Sequence, residues 1–431
     1  MLKDKNELES LLKDRYVRTE SEFVEEGYKE RGNTSGYVAK DKDTEKTYIL
    51  KEFKKDLQPG QPGQYYMDRV EGITEFISGT LFERLLYDRA PRISLVKSEK
   101  HHNSLYVSSK FFESIKSLAE FGDGYGNFIS PSSEKLQQIK GFEKVIAACH
   151  LLGEIDYHAA NLMVQSVTDD KGKSEDIITK IDHGKSFIRI HKDFGALLKA
   201  LNGDLKNRQI EYIDAIENGN LKFNVTDFST ALKQMLEGLD IEQANNIIDK
   251  KVAELKEEGL KPQIPYLQVD SFESLSDHFK HFLATNLERM KDISEDIQIV
   301  ANFTNVDEKF KNGRWVSEMV HSGFTDPISF ASDRGIKINN QEPLEWAQQN
   351  NYKIKKVGLS VINNRMKYNV TKEEPMSYII NFKNEHKLEL SKSEKVFLKK
   401  ENRDINNQAI QTQPLIPKST PSKPTKIQVR R

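Results

Sequence analysis

Two short apolar runs, residues 161–167 and 177–181, are rich in β-branched side chains and flank the polar segment TDDKGKSED, whose Gly172 suits a turn. They read as a β-hairpin. Asp156, His158 and Asn161 stand just before or at the entry of the first run, and Asp182 ends the second. A hairpin sets its two outer ends side by side, so Asn161 and Asp182 become neighbours. An amide oxygen and a carboxylate are hard donors of the kind Mg²⁺ accepts beside phosphate oxygens. Any fold of this chain must therefore present four polar side chains at one end of a hairpin, with a rigid support beneath. Each residue alone has an ordinary reading: a turn Asp, a core His, a strand-entry Asn, a loop carboxylate. The joint spacing and the apolar context favour the chemical one.

The order Asp156-x-His158-x-x-Asn161, then a hairpin, then Ile181-Asp182-x-Gly184 resembles the catalytic and metal-binding loops of the phosphoinositide 3- and 4-kinases, relatives of the protein kinases. Tyr157 stands where those kinases usually carry Arg, and His183 where they carry Phe. The resemblance implies an α+β, two-lobed, protein-kinase-like fold that uses ATP and Mg²⁺, with Mn²⁺ as the alternative ion. It places the metal on Asn161 and Asp182, and the acceptance of a hydroxyl proton on Asp156 or His158. Lys51, inside the strand-like TYILKEF, becomes the lysine that fixes the nucleotide phosphates, although a strand lysine is most often solvated. Glu75, early in a helix expected over residues 71–87, becomes its partner, with Glu83 as the fallback. Phe111 and Phe112, at the end of a strand, fall near the adenine; two such aromatics are also ordinary core. Lys185, Arg189 and Lys192, with His191, fall on the segment that faces a lipid headgroup. They are spread out, which favours phosphatidylinositol or a monophosphate over more highly phosphorylated lipids.

The domain expectations follow: an N-terminal helix over 1–19, a small ATP-binding lobe over 20–112, a large catalytic lobe over 113–260, a mostly helical extension over 261–400, and a disordered basic tail over 401–431. Polar, glycine-bearing residues 27–39 read as a hairpin, and residues 56–68 as a loop. Ser130 and Pro131 read as the start of one buried helix reaching Leu152, and residues 228–258 and 272–300 as helices. His278 and His281 have a metal-like i, i+3 spacing without a third ligand in reach.

Composition excludes several classes. A formal net charge of −1 gives no general attraction to nucleic acid or anionic membranes, so membrane contact has to come from a local patch. Cys149 is the single cysteine, which rules out an intramolecular disulfide and a cysteine-based zinc site. No apolar run approaches the roughly 20 residues of a transmembrane helix, and no apolar segment follows the charged first residues as in a signal peptide. The tail resembles the C-terminal translocation signals of bacterial type IV secretion effectors. The resulting expectation is a phosphatidylinositol kinase, resembling a secreted phosphatidylinositol 3-kinase-like effector of an intracellular bacterium. It would be made in the bacterial cytoplasm and act in host cytoplasm and at host membranes, with host proteins as further partners. Two alternatives stand beside it: modification of a host protein by phosphorylation or nucleotidyl transfer, and a non-catalytic kinase-like binding module.

Overall fold

The computed structural model describes residues 17–28, 36–57, 63–112, 115–168, 172–206, 212–264, 267–359 and 366–372. Of the helix expected over 1–19, residues 1–16 lie outside the described residues, as do the tip of the first hairpin at 29–35 and the tail from 401, and residues 17–19 are strand instead of helix.

Alternating apolar positions build a six-stranded sheet from β1 (Val17–Thr19), β2 (Phe23–Tyr28), β3 (Gly36–Asp41), β4 (Thr47–Lys54), β5 (Ile93–Lys97) and β6 (Ser104–Lys110), in the order β1-β5-β6-β4-β3-β2. Only β1 and β5 run parallel. Strand alternation sends Leu50 into a small cluster with Phe23, Ala39, Tyr48, Val96 and Tyr106, and sends Lys51 and Phe53 to the opposite face.

That face is covered by α1 (Gly63–Leu86). The helix starts earlier than expected, because Pro62 is the last proline of the preceding segment and every residue from Gly63 on has a backbone N–H to give. Gly72 and Gly79 face the sheet. A Cβ on the first would lie 2.6 Å from the Phe53 ring, and one on the second 2.3 Å from Ile93. Glycine costs a helix interior about 1 kcal/mol relative to alanine; here it lets α1 approach close enough to bring Glu75 over Lys51.

Phe111 and Phe112 lie beyond the end of β6, in the connection between lobes, and the Phe111 N–H donates to the Thr47 carbonyl at 2.8 Å. A second sheet follows, β7 (Ile115–Ser117), β8 (Leu162–Thr168) and β9 (Ser174–Lys180). Leu162 pairs with Lys180. The Ile181 N–H then donates to the Asn161 carbonyl at 3.0 Å, which makes the outer ends of the hairpin neighbours.

The buried helix expected from Ser130 to Leu152 is broken in two. A 3₁₀ turn, Glu134–Gln138, is followed by α2 (Phe142–Leu151), and the chain between them is extended. The cause is a competing partner: the Lys140 N–H donates to Asp176 at 2.9 Å and its carbonyl accepts from Ile178 at 3.1 Å, extending the hairpin's ladder. Gly141 then turns into α2 with φ 81°, a left-handed value that suits glycine.

Helices α3 (Phe194–Lys206), α4 (Tyr212–Glu217), α5 (Val225–Gly238), α6 (Ile241–Glu257) and α7 (Phe272–Ala301) follow. The single helix expected over 228–258 is two, because Asp240 leaves the helix and caps α6, accepting from the Glu242 and Gln243 N–H groups. Beyond them come α8 (Trp315–Ser322), α9 (Pro327–Arg334), α10 (Pro343–Gln349), the two-residue pair β10 (Phe303–Thr304) and β11 (Lys337–Ile338), and the hairpin β12 (Tyr352–Leu359) and β13 (Met366–Lys372). Residue 260 is no boundary in packing: α7 lies on α2, α5 and α6, and one buried core runs from Phe53 to Ala347. Among the described residues no helix is long and apolar enough to cross a membrane.

Candidate active site

Three elements converge on Lys51. From β4 its ammonium donates to both oxygens of Glu75 on α1, at 3.0 and 2.9 Å, and lies 3.0 Å from Asp182 Oδ1 beyond β9. Burial opposes the charge, but the Asp182 and Glu75 carboxylates outweigh it and hold the amine above the ordinary lysine range. Asp182 is thus an ion-paired group, more constrained than a loop carboxylate facing water. Its backbone is left-handed, with φ 59°. The Lys180 ammonium fastens this turn, donating to the Ile181 carbonyl at 2.5 Å and to the Asp182 carbonyl.

The loop before β8 supplies the other side. Buried Glu154 accepts the Asp156 N–H at 2.7 Å and the Ser186 hydroxyl at 2.9 Å. Asn161 donates its side-chain N–H to the Asp156 carbonyl at 3.1 Å, which leaves its amide oxygen for a cation. Asp156 sits between an imidazole and an ammonium: His158 Nε2 is 3.4 Å from Oδ1, and Lys185 Nζ is 3.2 Å from Oδ2. Burial lowers the His158 pKa below its usual value despite the Asp156 charge, so its ring is neutral near pH 7.

The substitutions at Tyr157 and His183 point inward. The Tyr157 hydroxyl donates to Asp204 and lies 3.3 Å from His150 Nε2. The His183 ring stacks on Phe82 with centroids 4.1 Å apart, and burial drives its pKa well below 6.5, so it serves as a neutral ring in the aromatic's place.

The headgroup expectations divide. Arg189 is corrected: it pairs with Asp204 through both terminal nitrogens, beneath the loop, and is committed to an internal contact. His191 is buried against His150, at 2.9 Å between ring nitrogens, and burial pushes it down to about 4. Lys185 is held by Asp156, whereas Lys192 is exposed.

Among the described residues no three His, Cys, Asp or Glu side chains converge as a metal cage, at His278 and His281 or elsewhere. Asn161 and Asp182 instead provide two oxygen donors at adjoining backbone positions. That is the complement Mg²⁺ uses when phosphates and water complete its octahedron. The donor set fits the ion.

Sequence reasoning missed Glu154, Lys180 and Asp204. It also missed Glu71, whose carboxyl is pushed up to about 7 by burial, with Lys185 opposing and Asp182 reinforcing. One signal was present: a lysine inside the apolar run IITKID.

This fold is α+β, with a sheet-and-helix small lobe and a helical large lobe that meet at the Lys51–Asp182 contact. The family model described as the LepB N-terminal domain matches residues 93–298. Two curated proteins, uncharacterized protein RP146 of Rickettsia prowazekii and uncharacterized protein RC0188 of Rickettsia conorii, are each 39% identical over 362 residues, 81% of this chain. The matches cover 58% and 50% of those proteins, so the chain spans about half the length of the curated relatives it matches. Among solved structures, the Helicobacter pylori proinflammatory kinase CtkA aligns over 67% of this chain and 99% of its own, at 14% identity and a TM-score of 0.41.

Proposed function

We propose that the chain transfers the γ-phosphoryl group of Mg-ATP to a hydroxyl of a phosphatidylinositol headgroup, on phosphatidylinositol or a monophosphate. One observation carries the reading: the Lys51 ammonium joins Glu75 to Asp182, while Asn161 is joined to the Asp182 turn by the Ile181 N–H. Asn161 and Asp182 would hold Mg²⁺, Lys51 would fix the nucleotide phosphates, and Phe111 and Phe112 would border the adenine. Bound Mg²⁺ neutralises phosphate charge as it develops. Asp156, gripped by His158 and Lys185, orients the acceptor hydroxyl, and the proton passes to the coupled Asp156–His158 pair. Positioning and charge neutralisation supply the rate.

The lipid reading draws on the order Asp156, His158, Asn161 and on the segment after Asp182. There Ile188, Ile190 and Lys192 are all exposed, an apolar and basic edge suited to peripheral contact with a bilayer. The place of action in this reading is a host-cell membrane, reached after export from a bacterium.

The test offers purified protein labelled ATP and Mg²⁺ with phosphatidylinositol vesicles, monophosphate vesicles and host proteins in separate reactions. Labelled lipid, resolved by headgroup chromatography, is expected. Label in protein alone would move the reading to a protein-modifying kinase. Failure to bind Mg-ATP would leave a non-catalytic module.

A further inference from the structure

Beneath the Lys51–Asp182 contact lie two charged side chains with no part in the roles above. Lys180 and Glu154 are completely buried. Burying charge is costly unless every polar atom is satisfied. Lys180 donates to the Ile181 carbonyl at 2.5 Å and to the Asp182 carbonyl. Glu154 accepts from the Asp156 N–H at 2.7 Å and from the Ser186 hydroxyl at 2.9 Å. Three of these four bonds end on Ile181, Asp182 or Asp156, and the fourth on Ser186 in the segment that follows Asp182. Burial pushes the Glu154 carboxyl up, and the Lys180 charge is the strongest influence opposing the rise.

The backbone explains the lysine. Asp182 holds a left-handed conformation uncommon for a residue with a side chain, φ 59°. Two successive carbonyls, those of Ile181 and Asp182, accept from one ammonium there. A cation with three donors on a flexible stem satisfies both, and an apolar side chain satisfies neither.

We propose that Lys180 and Glu154 form a buried positioning pair that locks the backbone of Asp182 and Asp156, so that the metal ligand and the acceptor-facing carboxylate keep a fixed separation. This rests on the phosphotransfer reading of the site, but it concerns the chain's own geometry and can be tested without turnover.

The test measures hydrogen exchange on metal-free, nucleotide-free protein, then Mn²⁺-ADP affinity by electron paramagnetic resonance, then ATP kinetics. It compares the wild type with Lys180→Met and Ser186→Ala. In Lys180→Met, exchange at residues 154–161 and 181–188 is expected to quicken about tenfold while α7 keeps its protection. Mn²⁺-ADP affinity and kcat should each fall about 10- to 100-fold, the usual loss when a metal ligand's support is removed. Binding of ADP without metal should be unchanged, because Lys51 and Glu75 are untouched. Ser186→Ala, which removes one partner of Glu154, should give the same pattern more weakly. Unchanged exchange at both loops overturns the proposal, as does protection lost equally in α7 and the loops, which would mark a merely structural charge. Should Lys180→Met fail to fold, Ser186→Ala decides, and unchanged exchange at 154–161 overturns the proposal. A wild type without turnover that still shows the exchange and Mn²⁺-ADP pattern sinks the kinase reading and leaves the pair standing.

Discussion

Removing the Lys51 ammonium takes from buried Glu75 a cation bonded to both its oxygens, whereas removing the Asp182 carboxylate leaves Lys51 still bonded to both oxygens of Glu75. The two substitutions should therefore separate. Lys51→Met is expected to destabilise the protein by about 3–5 kcal/mol, the cost of breaking one side of a buried pair. Asp182→Ala should melt near the wild type yet lose at least about 10²-fold in phosphoryl transfer. Thermal melts beside ATP turnover check both; equal melting temperatures would mean that Glu75 finds another partner. A second residue sets a pH dependence. Lys251 on α6 is buried over the Phe76 ring, 4.4 Å from its centre, and burial pulls its pKa down to about 7, with Glu254 opposing. Between about pH 7 and 10.5 the unfolded chain then binds more protons than the folded one, so this group makes stability rise with pH across that window. The span amounts to a few kcal/mol at about 1.4 kcal/mol per unit. Urea unfolding at pH 7 and 9 should show the rise, and Lys251→Met should be more stable at pH 7 with a flatter profile.

Helix α1 is gripped along its length from outside the small lobe. At its start Arg69 donates to the carbonyls of Lys261 and Gln263, in its middle Phe76 lies under Lys251, and near its end Arg84 donates to Gln243 at 2.6 Å. The Lys261 N–H also donates to the Lys55 carbonyl at 2.9 Å, so the segment after α6 holds the sheet as well. Glu75 thus stays on Lys51 through contacts within one chain. Arg69→Ala is expected to cost about 2–3 kcal/mol, the scale of hydrogen bonds to a charged group, and to raise the ATP KM by letting Glu75 drift. An unchanged KM in the destabilised variant would show that the sheet alone holds α1. Much at this scale was legible in the sequence. The β8–β9 hairpin, the β4 strand around Lys51 and the apolar face of α1 are written in local periodicity, so the neighbours Asn161 and Asp182 could be read from two short runs. What could not be read depends on tertiary competition: Lys140 gives its backbone to β9 instead of a helix, and Arg189 finds Asp204 on α3 instead of solvent. Lys180 acquires meaning only from the left-handed turn at Asp182, which composition does not encode.

At the scale of the whole molecule, the motifs end well before the core does. Reading from the motifs placed a boundary at residue 260, and periodicity could identify α7 as a helix without naming its partners. Those partners are the supports of the site. Asn286 of α7 donates to the carbonyls of His150 and Leu151, at 2.9 and 2.8 Å, in the last turn of α2, where helix carbonyls lack the i+4 N–H of a continuing helix. Phe279 and Phe282 close on Phe187, with ring centroids 5.0 and 5.5 Å away, and so brace the segment that follows Asp182. A chain cut after residue 260 loses all of this and exposes the faces of α2, α5 and α6 that α7 covers. It is expected to aggregate or to unfold without a cooperative transition, whereas a chain ending at residue 372 should melt as one unit. Asn286→Ala in the full chain tests this contact alone: the buried Leu151 carbonyl loses its donor and the His150 carbonyl keeps the Gly153 N–H at 3.3 Å, which should cost about 1–3 kcal/mol and quicken exchange at the end of α2. Cooperative melting of the 1–260 fragment at the full-length temperature would restore the boundary and reduce α7 to an appendage.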